Sequence, residues 1–367
     1  MKRIMCFLLL TIIVTSCDSS AVSITDTGGA NSGQNGTDDG TSQNAQWSIP
    51  VSQVVDGGPG KDGIPALVRP KMVNADSDEI SVLRPNDLVL VFKDGDDVRA
   101  YPHIILDWHE IINDNVGDVS LAITFCPLTG TGIGWGRIID GEETTFGVSG
   151  LLYNTNLIPY DRLTDSNWSQ ILNESVNGEL IGEKPELYQL LETTWNVARR
   201  VYPTIRVVST DTPFPRTYGT SPYGDYNTNN DRFLFPVSVN RTLPAKERVL
   251  ALIDRGRAKV YRFESFEEVN LIRDTFRSRD YLIVGNENFM VIYRLTGDLA
   301  ELEFSYVFDS DNLNSEILLR DDEGNEWNVF GEAVSGPRTG EFLGKTESMM
   351  AQWFSIPAFY PTEIYGQ

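Results

Sequence analysis

The sequence predicts a β-rich α+β fold built as a tandem duplication, each copy a strand-turn-strand-helix opening followed by an antiparallel sheet. Three observations predict it. Laying residue 101 over residue 261 aligns Val89-Leu90 with Val249-Leu250, Asp94 with Asp254, Tyr101 with Tyr261 and Asp114 with Asp274 without a gap. Further along, with a slightly smaller shift, Trp168 meets Trp327, Gly178 meets Gly336, and Trp195 with Tyr202-Pro203-Thr204 meets Trp353 with Tyr360-Pro361-Thr362. The segments between are short apolar alternations separated by Gly-, Asn- and Asp-rich turns, the pattern of half-buried strands.

Taken in order, residues 1–16 read as a lipoprotein signal peptide. Lys2 and Arg3 form a basic start, Ile4 to Val14 an apolar stretch too short to span a bilayer, and Val14-Thr15-Ser16 lead into Cys17 as in a lipobox. Cys17 is therefore the expected lipidation site, anchoring the chain to a membrane of the cell envelope with the rest facing the periplasm or the surface. Residues 17–46 form a polar tether of Ser, Thr, Gly, Asn, Asp and Gln, with almost nothing to bury. The first half, 47–215, opens with strands at Leu88 to Phe92 and Val98 to Tyr101, then a helix over roughly His103 to Asn113 and a strand over Ser120 to Phe125. In the second half, 216–367, the counterparts are Val249 to Ile253, Ala258 to Tyr261, Ser265 to Phe276 and Phe289 to Tyr293.

Composition narrows the partners. The chain carries a formal charge of −22, and removing Lys2 and Arg3 makes the remainder two units more negative. So acidic a surface repels phosphate backbones and anionic lipid, which excludes nucleic acid and a polybasic membrane contact and leaves the N-terminal lipid as the membrane partner. With Cys6 in the signal and Cys17 acylated, Cys126 is the free thiol and no intramolecular disulfide can form.

The duplication also sorts polar residues, because one replaced in the other half is not demanded by the fold. His109 meets Val269, Glu110 meets Asn270, Asn113 meets Arg273, and Cys126 is paired with Tyr293, whereas Asp114 recurs as Asp274 and reads as structural. On the expected helix His109 and Asn113 share a face, with Glu110 about 100° around it. The run His-Glu-Ile-Ile-Asn resembles the start of a zincin motif, but with only His103 and His109 in the chain no ordinary zincin can be built. Cys126 ends a strand in Thr-Phe-Cys-Pro-Leu-Thr-Gly-Thr-Gly, where Pro and Gly turn the chain and expose strand-end side chains.

Other motifs fall short. Residues Phe146 to Asn154 lack the spacing of a nucleophile elbow, so Ser149 and Asn154 read as binding rather than catalytic groups. Tyr160-Asp161-Arg162 and Ser166 to Gln170 place Tyr160, Asp161 and Gln170 around Trp168, as in a pocket wall. Asp225, Asn227, Asn229 and Asp231 begin like a calcium loop without its Gly or its bidentate Glu. No Gly-rich segment ends as a phosphate-binding loop does.

Several of these runs together resemble the bacterial family of unknown function DUF3179. They are Asp56-Gly57-Gly58-Pro59-Gly60-Lys61-Asp62-Gly63-Ile64-Pro65-Ala66, Ala100-Tyr101-Pro102, His109 to Asp114, Cys126-Pro127-Leu128-Thr129-Gly130, and Ser149 to Asn154 running into Tyr160-Asp161-Arg162 and Trp168-Ser169-Gln170. The resemblance covers nearly everything after the tether and implies no activity. It adds Lys61 and Asp62 to the binding candidates. Its members usually read Cys-Pro-Leu-Cys-Gly, a pattern that suits a soft metal or a dithiol; here the second cysteine is Thr129, which excludes dithiol chemistry.

A purely structural envelope protein would explain the fold but not why one half lost the polar cluster, and two other classes of function remain. In the first, Cys126, His109 and Glu110, with Asn113 orienting, either ligate a transition metal ion or work as a thiolate site in which His109 deprotonates Cys126. In the second, the chain is a lipid-anchored binding module without chemistry that captures a small molecule or envelope glycan.

Overall fold

A computed structural model of the chain describes residues 46–309 and 315–367. The signal, Cys17 and nearly all of the tether lie outside the described residues. Strand dominates, as the alternation predicts, and the described sheets are almost wholly antiparallel.

In the first half a hairpin, Leu88–Asp94 with Asp97–Pro102, turns at Gly95, whose φ of 54° suits a residue without Cβ. Leu191–Thr194 pairs with its first strand, and Arg206–Val208 runs parallel to its second. A meander of Ile111–Val116, Val119–Cys126 and Thr131–Gly136 follows, then a sheet holding Phe146–Tyr153, Asn156–Asp161, Asn167–Ser169 and Glu174–Asn177. The second half repeats the order of these strands in smaller sheets, of four, three and four strands where the first half has five in each. Its hairpin is Arg248–Asp254 with Arg257–Arg262, flanked by Glu347–Gln352 and, in parallel, Thr362–Ile364. Its meander is Leu271–Phe276, Arg279–Gly285 and Met290–Leu295, and its last sheet runs from Phe304–Tyr306 to Ala333–Ser335.

Buried polar pairs recur with the strands. Tyr101 donates to Asp114 at 2.9 Å, and Tyr261 to Asp274 at 2.7 Å. The same aspartates take a cation, Arg99 at 2.7 Å and Lys259 at 2.5 Å. Trp168 donates its indole N–H to Asp161 at 3.0 Å, and Trp327 to Asp321 at 2.8 Å. Such pairs leave the tyrosine and tryptophan bodies in the core while giving each polar tip a partner.

Each hairpin strand is buried on both faces. Leu90, Phe92 and Tyr101 pack on Ile112, Leu121 and Ile123 of the same half, while Val89, Val91 and Ala100 pack on Leu282, Val284, Val291 and Trp327 of the other. Reciprocally, Leu250 and Leu252 pack on Ile272 and Ile283, while Val249 and Ala251 join Ala122, Ile133, Trp135 and Trp168. Two of the main cores thus belong to both halves at once. The expected boundary at 215/216 falls within residues 209–247, which contain no helix or strand.

Both helix expectations are corrected. The first helix spans His103–His109, and Ile111–Val116 is a strand. In the second half a single 3-10 turn, Phe263–Phe266, precedes the strand Leu271–Phe276. The run Ile-Ile-Asn-Asp-Asn-Val joins β-branched residues to Asn and Asp, all poor helix formers, and pairing with Val119–Cys126 decides it. The meander registers also correct one pairing. Asp114 opposes Leu121 as Asp274 opposes Tyr281, which puts Asn286, not Tyr293, at the place of Cys126.

Candidate functional site

The strand Ile111–Val116 carries Asn113 away from His109. The Asn113 amide donates to Phe146 O at 2.8 Å and Leu67 O at 3.3 Å and accepts from Phe146 N at 2.7 Å, so it staples three strands together. It does not orient the imidazole, and its sequence-based role is corrected.

His109 is fully buried at the end of its helix. Its Nδ1 lies 2.7 Å from Pro65 O, a pure acceptor, so Nδ1 carries the proton and Nε2 accepts from the Tyr218 hydroxyl at 2.6 Å. Burial pushes its pKa down to about 4. Cys126 ends its strand in a tight turn, with Thr129 N and Gly130 N donating to its carbonyl at 3.2 and 2.8 Å. Its thiol donates to Thr155 O at 3.8 Å, and burial, with the charge of Glu110, pushes its pKa up to about 11. The expected thiolate–imidazole pair is therefore not assembled: the imidazole is a neutral hydrogen-bonding strut, and the cysteine is a thiol. The metal triad is corrected as well. Both His109 nitrogens are engaged, and among the described residues no group of three His, Cys, Asp or Glu side chains is placed to hold a metal ion.

Glu110 is the candidate that gains. It links helix to strand at φ 57°, ψ −33°, an uncommon conformation for a residue with a Cβ, and its main chain is held by Glu110 N to Leu106 O and Phe125 N to Glu110 O, both 2.7 Å. Its carboxyl accepts from the Tyr223 hydroxyl at 3.2 Å. Burial, reinforced by the nearby Asp107, pushes its pKa up to about 7. It lines a cavity of about 340 Å³ whose other walls are mostly apolar, among them Ile64, Leu128, Val148, Leu152 and Phe235.

The Gly-rich opening run builds one wall of that cavity. Gly57 N donates to Gly150 O at 2.7 Å, and a Cβ on Gly150 would stand 2.7 Å from the Gly60 backbone, so the loop can close only on glycine. Lys61 and Asp62 brace the loop from outside. Asp62 takes Tyr160 at 2.5 Å and Arg162 at 2.8 Å, and the Lys61 ammonium sits 4.1 Å above the Tyr160 ring and pairs with Asp165. Ser149 bonds Ile158 O and Leu151 N within a β-bulge. Asn154 turns a hairpin and donates to Ala358 O at 2.9 Å. Asp161 holds Trp168, and both are fully buried. Gln170 belongs to a buried network with Thr124, Thr131 and Asn156 that also includes Thr129. None of these binding candidates lines the cavity.

Sequence reasoning missed what covers the site. Residues 209–247 bring Tyr218 to His109 and Tyr223 to Glu110, and add Leu234 and Phe235 to the cavity. The segment also carries Lys246, buried with its ammonium 3.3 Å from the Tyr226 ring centroid and 4.7 and 4.6 Å from those of Phe233 and Phe354. That amine has no hydrogen-bond partner among the described residues, and burial pushes its pKa down to about 7. The one available signal was its aromatic content, unusual for a connection.

No curated protein and no solved structure matches this chain. The family described as "Protein of unknown function (DUF3179)" matches residues 61–363, most of the chain, and the chain belongs to that family.

Proposed function

We propose that this chain is a lipid-anchored cell-envelope protein, tethered through Cys17, whose first half binds a small, mainly apolar molecule in the cavity at Glu110. The observation that carries this reading is Glu110 itself: the one carboxylate on that cavity's walls, in an uncommon backbone conformation, aimed into apolar surroundings. An apolar ligand fills the space, and one hydroxyl or amine on it meets Glu110 beside Tyr223. A carboxyl with a pKa of about 7 gives or takes a proton on binding at neutral pH. The recurring Tyr–Asp and Trp–Asp pairs support an origin by duplication, with the ligand site kept in one copy.

The test uses N-phenyl-1-naphthylamine, a neutral apolar amine whose fluorescence rises in dry sites. Wild type should bind it saturably, with affinity changing through pH 7. Leu234→Trp, which fills the cavity from its exposed rim, should abolish binding, and Glu110→Gln should remove the pH dependence. Absence of saturable binding, or binding indifferent to both substitutions, would refute the reading.

A further inference from the structure

On the flank of the first half a second depression, of about 320 Å³, is walled by Arg69, Arg137, Arg162, Thr144, Thr145 and Glu143. Three guanidinium groups on one small surface stand out in a chain with a net charge of −22. Two of them are fixed in advance. Arg137 is held by main-chain carbonyls of Leu121 at 3.1 Å, Thr144 at 2.6 Å and Asp114 at 3.0 Å, with Glu143 at 3.0 Å as its counter-charge. Arg162 is held by Phe146 O at 3.2 Å and by Asp62 at 2.8 Å.

Arg69 is different. Its guanidinium has no ion pair or hydrogen bond among the described residues. Its backbone sits at φ 48°, the left-handed region, directly before Pro70, where helical conformations are further disfavoured. The fold imposes that geometry through Arg69 N to Asn113 O at 2.8 Å, beside the parallel pairing of Val68 with Asn113. An uncommon conformation spent on presenting an unneutralised cation is the kind of outlier that accompanies binding. The positive charge is felt locally: Arg69 is one of the groups that lower the pKa of Arg137, though desolvation is the larger cause. Val68 and Leu163, each about half exposed, give the depression an apolar rim.

We infer that this depression binds the oxyanion group, phosphate or carboxylate, of a small molecule, with Arg69 as the contacting cation and Arg137 and Arg162, each already paired with a carboxylate, as the fixed floor beneath it. Guanidinium is suited to either oxyanion through paired N–H donors. The site is separate from the cavity at Glu110 and does not depend on the function proposed for it.

The experiment is titration calorimetry of the full-length chain with inorganic phosphate and, separately, succinate. At least one should bind saturably with a Kd below about 1 mM. Arg69→Gly should weaken binding at least tenfold while leaving Tm no lower than wild type, since glycine accepts the left-handed conformation. Arg69→Lys should fall between, having lost the paired donors. Saturation by phosphate alone or by succinate alone supports the site and identifies its anion. No heat from either anion, or equal binding by Arg69→Gly, overturns it.

Discussion

The corners at Glu110 and Asn270 share one main-chain hydrogen bond but differ in conformation, only Glu110 having a positive φ, and in chemistry. In one, Phe125 N donates to Glu110 O at 2.7 Å; in the other, Gly285 N donates to Asn270 O at 3.0 Å. Both lead into an antiparallel pair with a Tyr–Asp bond at its back. In the second half each polar side chain is used up locally. Asn270 donates to Gly285 O at 2.9 Å, Arg273 caps carbonyls of Ala300 and Leu302, and Asn286 accepts from Asn288 N and Phe289 N. In the first half Glu110 is turned into a cavity and Cys126 is left as a lone thiol. On the duplication proposed above, one scaffold tolerates either outcome and the buried carboxyl is not a requirement of folding.

Substitutions can break or sharpen that comparison. Asp161→Ala and Asp321→Ala should be the most damaging and nearly equal, each costing about 3 kcal/mol by orphaning a buried indole N–H and its neighbouring donors. Urea titrations would measure both; a large inequality would break the structural equivalence of the halves. Next, Glu110→Gln should raise stability by about 2 kcal/mol at pH 8. The folded carboxyl, at about 7 against the ordinary 4.5, holds its proton after the unfolded chain has released it. Wild type therefore loses stability as pH rises from 4.5 to 7, and the gain of the variant should vanish by pH 4. Asn270→Asp, tested in parallel, should show no such rise because its site lacks the burial.

Lys246→Met should be stabilising by about 1 kcal/mol near pH 6, because methionine fills the aromatic box without an unpartnered amine. With the folded pKa at about 7 and the ordinary amine value at 10.5, wild type gains stability across that interval as the unfolded amine alone keeps its proton. The difference should therefore shrink toward pH 10.5, which thermal melts across that range would follow. The smallest effect expected is for Asn270→Ala, under about 1 kcal/mol, one half-buried hydrogen bond being lost.

Much of this was legible in the sequence. Period-2 apolar runs marked the strands, and the recurrence of Asp114 as Asp274 pointed to the buried pairing that Asp114 makes with Tyr101 and Arg99. What failed did so for identifiable reasons. Helix periodicity at His103 to Asn113 was a local pattern, and pairing with Val119–Cys126 overrode it after about two turns. His109 and Cys126 are near in sequence pattern, but their hydrogen bonds are set by Pro65, Tyr218 and Thr155, none of which is near them in the chain. Residues 209–247 have no periodicity, so nothing local announced that Tyr218 and Tyr223 would fold back over the first half.

The most direct test is a carbon-13 NMR titration of the glutamate carboxyls, with the Glu110 resonance assigned by its loss in Glu110→Gln. A midpoint near 7 that moves when N-phenyl-1-naphthylamine is added is the predicted result. A midpoint near 4.5, unchanged by the probe, would place Glu110 in water and contradict the ligand cavity.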